Sequence, residues 1–150
     1  MHLSLLANNC RLHEHLTIVN AMVGQHDGNS TVYVTAHRTD NAAASEVQAV
    51  KNVGRSDQDY VANVEMVKPD SFFPSGTRVQ NLKIDVQGQE LQVLLGAERL
   101  LTENKGRLRV RYEFHEGLLR AAGTEPSTVV DYMLKLGYEI YSKGDDIDMM

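Results

Sequence analysis

The sequence predicts an α/β fold built around a mostly parallel sheet with flanking helices. In the second half of the chain, strand-like runs at 79–86, 107–114 and 138–142 alternate with helix-like stretches at 89–103 and 126–136. Strands that alternate with helices form right-handed crossover units, which place successive strands parallel in one sheet. The length of 150 residues and the hydrophobic content of 42% are sufficient for a single domain with its own core.

The first half of the chain carries weaker signals. Apolar residues at helical spacing predict a helix over 2–12, and the compact β-branched run over 16–23 predicts a buried strand. A second strand is predicted over 30–36 and a short one over 61–67. Residues 37–60 are rich in Asp, Asn, Ser and Ala without a sustained period, which predicts a long loop.

The helices of the second half have clearer boundaries. After Gly88, leucines cover much of the circumference of the predicted helix 89–103, so this helix should be largely buried. Pro126 stands in the first turn of the next predicted helix, and Gly137 ends it. The run after Gly137 supplies the last predicted strand.

The composition excludes several classes of protein. The net charge of −5 argues against a broad nucleic-acid interface. No apolar run has the length of a membrane span. The single cysteine, Cys10, forms no internal disulfide and fits a reducing compartment, so we expect a cytoplasmic protein. The six histidines lack metal-ligand spacing, and no metal site is predicted.

The most informative stretch runs from Leu82 to Leu91. Its strand ends near Asp85, and a turn with Gly88 leads into a helix whose first turn contains Glu90. The carboxyl ends of strands form the edge at which open α/β sheets bind ligands. Asp85 is therefore either an acid that hydrogen-bonds the following turn or a carboxylate that positions substrate and accepts a proton. Gly88 and Glu90 are interpreted as structural.

A second acidic group ends the next strand. Glu113 and His115 are two residues apart, so on a strand their side chains point the same way. They form either a base with its orienting carboxylate or a solvated pair.

Charge alternates along that same strand. Lys105, Arg107, Arg109 and Arg111 share one parity, and the residues between them are mostly apolar. This pattern predicts one polar face, either as a ladder of charges between neighbouring strands with snorkelling arginine stems or as an anion-binding face.

The stretch around Asp85 resembles the signature of FkbM-type methyltransferases, K-I-D-V-E-G-x-E followed by an apolar helix with G-A. Gln87 stands where the family commonly has Glu. The matching residues are Lys83, Ile84, Asp85, Val86, Gly88, Glu90 and the pair Gly96-Ala97.

The resemblance extends over nearly the whole chain. Residues 40–45 are similar to the family's Asn/Gly/Ser loop, and 112–113 to the acidic end of the next strand. Residues 134–141 resemble the late L-x-x-x-G-Y-x-I-Y, and 8–24 the segment that includes the family's third strand.

The resemblance implies a Rossmann-like fold that binds S-adenosylmethionine and methylates an oxygen nucleophile on a sugar or small metabolite. The candidate catalytic residues are Asp85 and Glu113, which the resemblance places at acidic positions of the family, and His115, which its spacing to Glu113 adds. By family position, Asn20 and Ala21 are the nearest residues to the cofactor.

One part of the family pattern is missing from the sequence. We find neither the first strand with its glycine-containing turn nor the acidic residue after the second strand, which together hold the methyl donor. We therefore expect a fragment, incomplete at the N-terminus, that self-associates through an exposed sheet edge. The alternatives are a non-catalytic remnant or interaction domain that cannot bind the donor alone, and an unrelated nucleotide-binding module, against which the lack of G-x-G-x-x-G argues.

Overall fold

The computed structural model describes residues 16–34, 60–143 and 146–150. The helix expected over 2–12 and nearly all of the loop expected over 37–60 lie outside these ranges. The mixture of helices and strands confirms the α/β class. In chain order the described elements are β1 (Met22–Val23), β2 (Gly28–Val34), β3 (Tyr60–Val67), α1 (Pro69–Phe72), β4 (Asn81–Ile84), α2 (Glu90–Gly96), α3 (Glu98–Asn104), β5 (Arg109–Glu113), α4 (Glu116–Ala121), α5 (Pro126–Lys135), β6 (Ile140–Lys143) and β7 (Asp146–Met149).

The strands form two sheets within the described residues. The first sheet has the order β1–β3–β2, with β1 parallel and β2 antiparallel to β3. Its long antiparallel ribbon pairs Gly28 with Met66 at one end and Val34 with Tyr60 at the other. Met66 is the buried hydrophobic residue of this sheet, so the first sheet adds little to the core.

The main sheet has the order β4–β5–β7–β6. β4 and β5 are parallel, and β7 runs antiparallel to both of its neighbours, so β6 points the same way as β5. The expectation of parallel strands therefore holds for three strands of this sheet. β7, a strand that the sequence did not predict, is reversed and lies between β5 and β6.

One face of the main sheet forms the core. Along β5, Val110 and Tyr112 are fully buried while the alternate residues Arg109 and Arg111 are exposed, the alternation that a strand with one buried face produces. Helices α2, α3 and α5 contribute leucines, valines and a methionine to the same cluster. Its members are Ile84, Val93, Leu94, Ala97, Leu100, Leu101, Leu108, Val110, Tyr112, Leu119, Val129, Met133, Tyr138, Ile147 and Met149.

The helix expected over 89–103 is divided in two at Ala97. The carboxylate of Asp70 accepts hydrogen bonds from the backbone amides of Arg99 at 2.8 Å and Leu100 at 2.9 Å, and so caps the start of α3. A side chain at Gly96 would collide with the backbone carbonyl oxygen of Gly24. The break thus occurs where α2 touches the first sheet and α1 caps the next helix.

The remaining differences from the sequence-based expectation concern short elements. The buried strand expected over 16–23 is wrong, because only Met22–Val23 pairs, and Leu16, Ile18 and Val19 are exposed. Helices α1 and α4 and strand β7 were not predicted, since four to six residues give no clear period.

No helix within the described ranges is both long and apolar enough to cross a membrane.

Candidate active site

The turn that follows β4 is shaped by two residues with a positive φ. Gln87 has φ 53° and Gly88 has φ 97°. Glycine adopts this region without strain, whereas a residue with a Cβ atom does so at some cost. The turn therefore holds Gln87 in an uncommon conformation directly after Asp85 and Val86.

Glu90 closes this turn from inside the protein. Its side chain is 1% exposed, and its Oε1 accepts hydrogen bonds from the amides of Val86 at 3.3 Å and Gly88 at 3.1 Å. Burial raises the pKa of Glu90, and the negative charge of Asp85 adds to the increase. This geometry gives Glu90 the structural role that the sequence indicated.

Asp85 lies at the carboxyl end of β4 with 47% of its side chain exposed. Lys83 Nζ forms an ion pair with its Oδ2 at 3.3 Å, and Gln87 Nε2 donates to its Oδ1 at 3.3 Å. Asp85 therefore remains open to solvent while two neighbours fix its orientation.

Glu113 meets Asp85 across the parallel pair of strands. Ile84 lies opposite Tyr112, so Asp85 and Glu113 are the next positions along β4 and β5. Gln87 Nε2 donates to Glu113 Oε2 at 3.1 Å, which links the two acids through one amide. Burial raises the pKa of the Glu113 carboxyl, and the charges of Asp85 and Glu90 raise it further.

His115 has a different partner from the one that the sequence suggested. It is the N-cap of α4, and its Nδ1 accepts a hydrogen bond from the amide of Leu118 at 3.2 Å. No described hydrogen bond joins His115 to Glu113. A positive charge on the ring lowers the pKa of the Glu113 carboxyl, whereas the ring that accepts the Leu118 amide at Nδ1 is neutral.

A third acid at this edge was not anticipated. Asp146 begins β7 and lies directly opposite Glu113 in the antiparallel register, where its charge also raises the pKa of Glu113. Sequence reasoning missed it because β7 was missed. Its alternation of polar and apolar residues, Asp-Ile-Asp-Met, was the available signal. We call Asp85, Gln87, Glu113 and Asp146 the acidic rim.

The structure does not join Asn20 and Ala21 to the acidic rim. Both residues immediately precede β1 of the first sheet, where Asn20 is exposed and Ala21 is half-buried. No contact between them and Asp85 or Glu113 is among the described interactions.

The polar face of the main sheet carries the charge ladder. Arg111 donates to both carboxylate oxygens of Asp148 on β7, at 2.7 and 2.8 Å. This pair agrees with a ladder between neighbouring strands. A groove of about 580 Å³ lies on the same face, lined by residues such as Lys83, Arg109 and Tyr141, and it includes neither Asp85 nor Glu113.

These features define a class of protein, an α/β domain with acidic side chains at the carboxyl edge of parallel strands, the edge at which such sheets bind ligands. The methyltransferase FkbM domain matches residues 4–140, so the chain belongs to the FkbM methyltransferase family. The family resemblance seen in the sequence is confirmed. No curated protein and no solved structure matches the chain.

Proposed function

We propose that the chain transfers a methyl group from S-adenosylmethionine to a hydroxyl of a sugar or another small metabolite. The observation that carries this proposal is the meeting of Asp85 and Glu113 at the carboxyl edge of two parallel strands. Membership of the FkbM family supports methyl transfer as the type of reaction.

The negative charge of the acidic rim complements the positive charge of the methyl donor. The donor's sulfonium is a cation, and the rim gathers three carboxyl groups, of which Asp85 is open to solvent. When bound, the donor supplies a methyl group that is already activated, so alignment of the acceptor is the main task left to the protein. We assign the adenine side of the donor to Asn20 and Ala21, on the basis of family position.

Different residues of the rim would orient the acceptor hydroxyl and remove its proton. Asp85, exposed and held by Lys83, would accept a hydrogen bond from the acceptor hydroxyl and orient it. Glu113, whose pKa is raised by burial, would take the proton. His115 has its Nδ1 engaged at the start of α4, so any contact with the acceptor would come from its Nε2.

The test is methyl transfer from labelled S-adenosylmethionine to a panel of sugars and small hydroxyl-bearing metabolites, read by mass spectrometry. We expect Asp85→Asn to lower turnover by roughly 100-fold, the scale of a general base or a positioned polar group. Because Asp85 is half exposed, the melting temperature should stay close to that of the wild type.

The matched control is Asp131→Asn, which makes the same change on the exposed side of α5, away from the rim. It should leave turnover unchanged. If the folded wild-type chain shows no binding of the donor up to about 1 mM, roughly −4 kcal/mol, the proposal fails. The chain would then be the non-catalytic domain considered from the sequence.

A further inference from the structure

Gln87 makes the contact that unites the acidic rim. Its Nε2 carries two hydrogens, and the structure directs one donor group to both Asp85 Oδ1 at 3.3 Å and Glu113 Oε2 at 3.1 Å. The two acids come from different strands, and Gln87 lies on the turn after the first of them. One neutral amide therefore spans the gap between two carboxylates.

The backbone of Gln87 supports a functional interpretation of this contact. Its φ of 53° lies in the left-handed region, and it is the sole residue other than glycine with a positive φ among the described residues. Backbone strain of this kind persists where the surrounding structure requires it, and it concentrates at functional sites. A glycine at this position would relieve the strain but would remove the amide.

The electrostatic surroundings favour a neutral hydrogen-bond donor at this position. Glu113 faces the negative charges of Asp85 on the β4 side, Asp146 on β7 and the buried Glu90 beneath the turn. The nearby cation is Lys83, which pairs with Asp85, while His115 uses its Nδ1 to accept the amide of Leu118. Like charges at this spacing repel, so without a shared donor the two carboxylates would turn apart.

We propose that Gln87 is a positioning residue, whose side-chain amide holds Asp85 and Glu113 toward one common point where the acceptor hydroxyl binds. This inference rests on the proposed methyl transfer and goes beyond it, since it assigns the alignment of the two acids to a residue outside the acid–base pair. An amide does this better than a carboxylate would, because it donates to both acids and adds no charge.

Three substitutions separate positioning from a structural role. Gln87→Met keeps the size of the side chain and removes the donor. Gln87→Glu keeps the shape, removes the donor and adds a fourth carboxyl group to the rim. Gln87→Gly removes the amide together with the backbone strain, so it should fold at least as well as the wild type.

The first readout is the titration of the Glu113 carboxyl, followed by NMR of the intact chain with labelled glutamate side chains. A hydrogen bond to the charged form favours that form, so its loss should raise the pKa of Glu113 by about 0.5–1 unit in the Met and Gly variants. The Glu variant should raise it more, because it also adds repulsion. This readout requires no enzymatic activity.

The second readout is methyl transfer, where kcat should fall by about tenfold in the Met and Gly variants while the KM for S-adenosylmethionine stays unchanged. If the chain transfers no methyl group, the proposed function fails, but the titration still decides the role of Gln87. An unaltered Glu113 titration in the Met and Gly variants would overturn the inference. So would a loss of turnover in the Met variant that the Gly variant restores, because it would reduce Gln87 to a backbone element.

Discussion

Two glutamates with raised pKa values lie close together near the end of β4 and β5, and they have different consequences. Glu90 is buried inside the turn, where two backbone amides donate hydrogen bonds to its Oε1, whereas Glu113 is half-buried at the rim. An acid inside a protein is destabilising once it is ionised, because water no longer solvates its charge. The turn that shapes the site should therefore weaken as pH rises.

Glu90 makes this dependence measurable. Its pKa is raised above the ordinary value of 4.5, so the stability linked to the protonated group is fully present below about pH 4.5 and is lost as pH rises through the folded-state pKa. We expect Glu90→Gln to lack this part of the decline. Urea unfolding between about pH 4 and 8 should show a difference of about 1.4 kcal/mol for each unit of raised pKa.

Glu139→Gln is the matched control, because Glu139 is exposed and its described hydrogen bonds to Met150 are made by its backbone. Its pH profile should follow that of the wild type. In Glu90→Gln the pKa of Glu113 is raised less, because the charge of Glu90 is gone, and this change weakens the decline with pH in the same direction. Parallel profiles for the wild type and Glu90→Gln would show that the buried carboxyl does not control the stability of the turn.

At the residue scale, the sequence revealed the acids but not the link between them. Asp85 and Glu113 stand out because each follows an alternating run at a predicted strand end. The role of Gln87 depends on the register that sets Ile84 opposite Tyr112, and register is a property of two strands together. Asp146 was hidden for the same reason, since it approaches Glu113 only through the antiparallel pairing of β7.

At the scale of elements, α3 depends on a residue far away in the sequence. Asp70 belongs to α1, yet its two carboxylate oxygens accept the amides at the start of α3. The Arg99 side chain adds to this contact between α1 and α3 by donating to the backbone carbonyl oxygens of Asp70 and Phe73. A short helix with four residues thus serves as the cap of a longer one.

We predict that Asp70→Ala lowers the free energy of unfolding by about 1–2 kcal/mol, the usual cost of removing a side-chain helix cap. Two amides would lose their acceptor at once. Thermal melting of the purified chain measures the effect. Asp131→Ala removes an exposed aspartate of α5 and should change stability by less than about 0.5 kcal/mol; an equal loss in both variants would contradict the capping role.

The contact between α1 and α3 also shows which features of the helices could be predicted from the sequence and which could not. The long amphipathic stretches were found, because burial on one side repeats over several turns. The division at Ala97 was not, because the leucine pattern continues unbroken from α2 into α3. Only the approach of Gly24 to Gly96 and the capping by Asp70 reveal it, and both are contacts between distant segments.

At the scale of the whole molecule, the apolar core belongs to the main sheet. Every residue of the buried cluster lies between Ile84 and Met149 in the sequence. The first sheet contributes only Met66 to the buried hydrophobic residues of the described ranges. In the described part of the chain, β4 and β6 each pair on one side only. Unpaired strand edges are templates for association with another chain.

We predict that the purified chain self-associates through such an edge. Ile140 begins the edge strand β6 and is exposed, so Ile140→Lys should place a charge there and reduce the association several-fold in light scattering. Leu134→Lys makes the same kind of change on an exposed position of α5. Equal effects of the two variants would refute the edge contact. So would a wild type that stays monomeric at about 100 μM, a concentration well above the dissociation constant of a typical specific dimer.

The order of strands in the main sheet constrains how the chain folds while it is being synthesised. β6 leaves the ribosome before β7, yet the sheet has no place for β6 until β7 lies beside β5. A nascent chain that has reached only residue 143 can pair β4 with β5 and pack α5, but its β6 has no neighbour. The exposed edge of β5 would then be open to any other extended segment. The few residues of β7 thus determine when the emerging protein stops being vulnerable to misassembly.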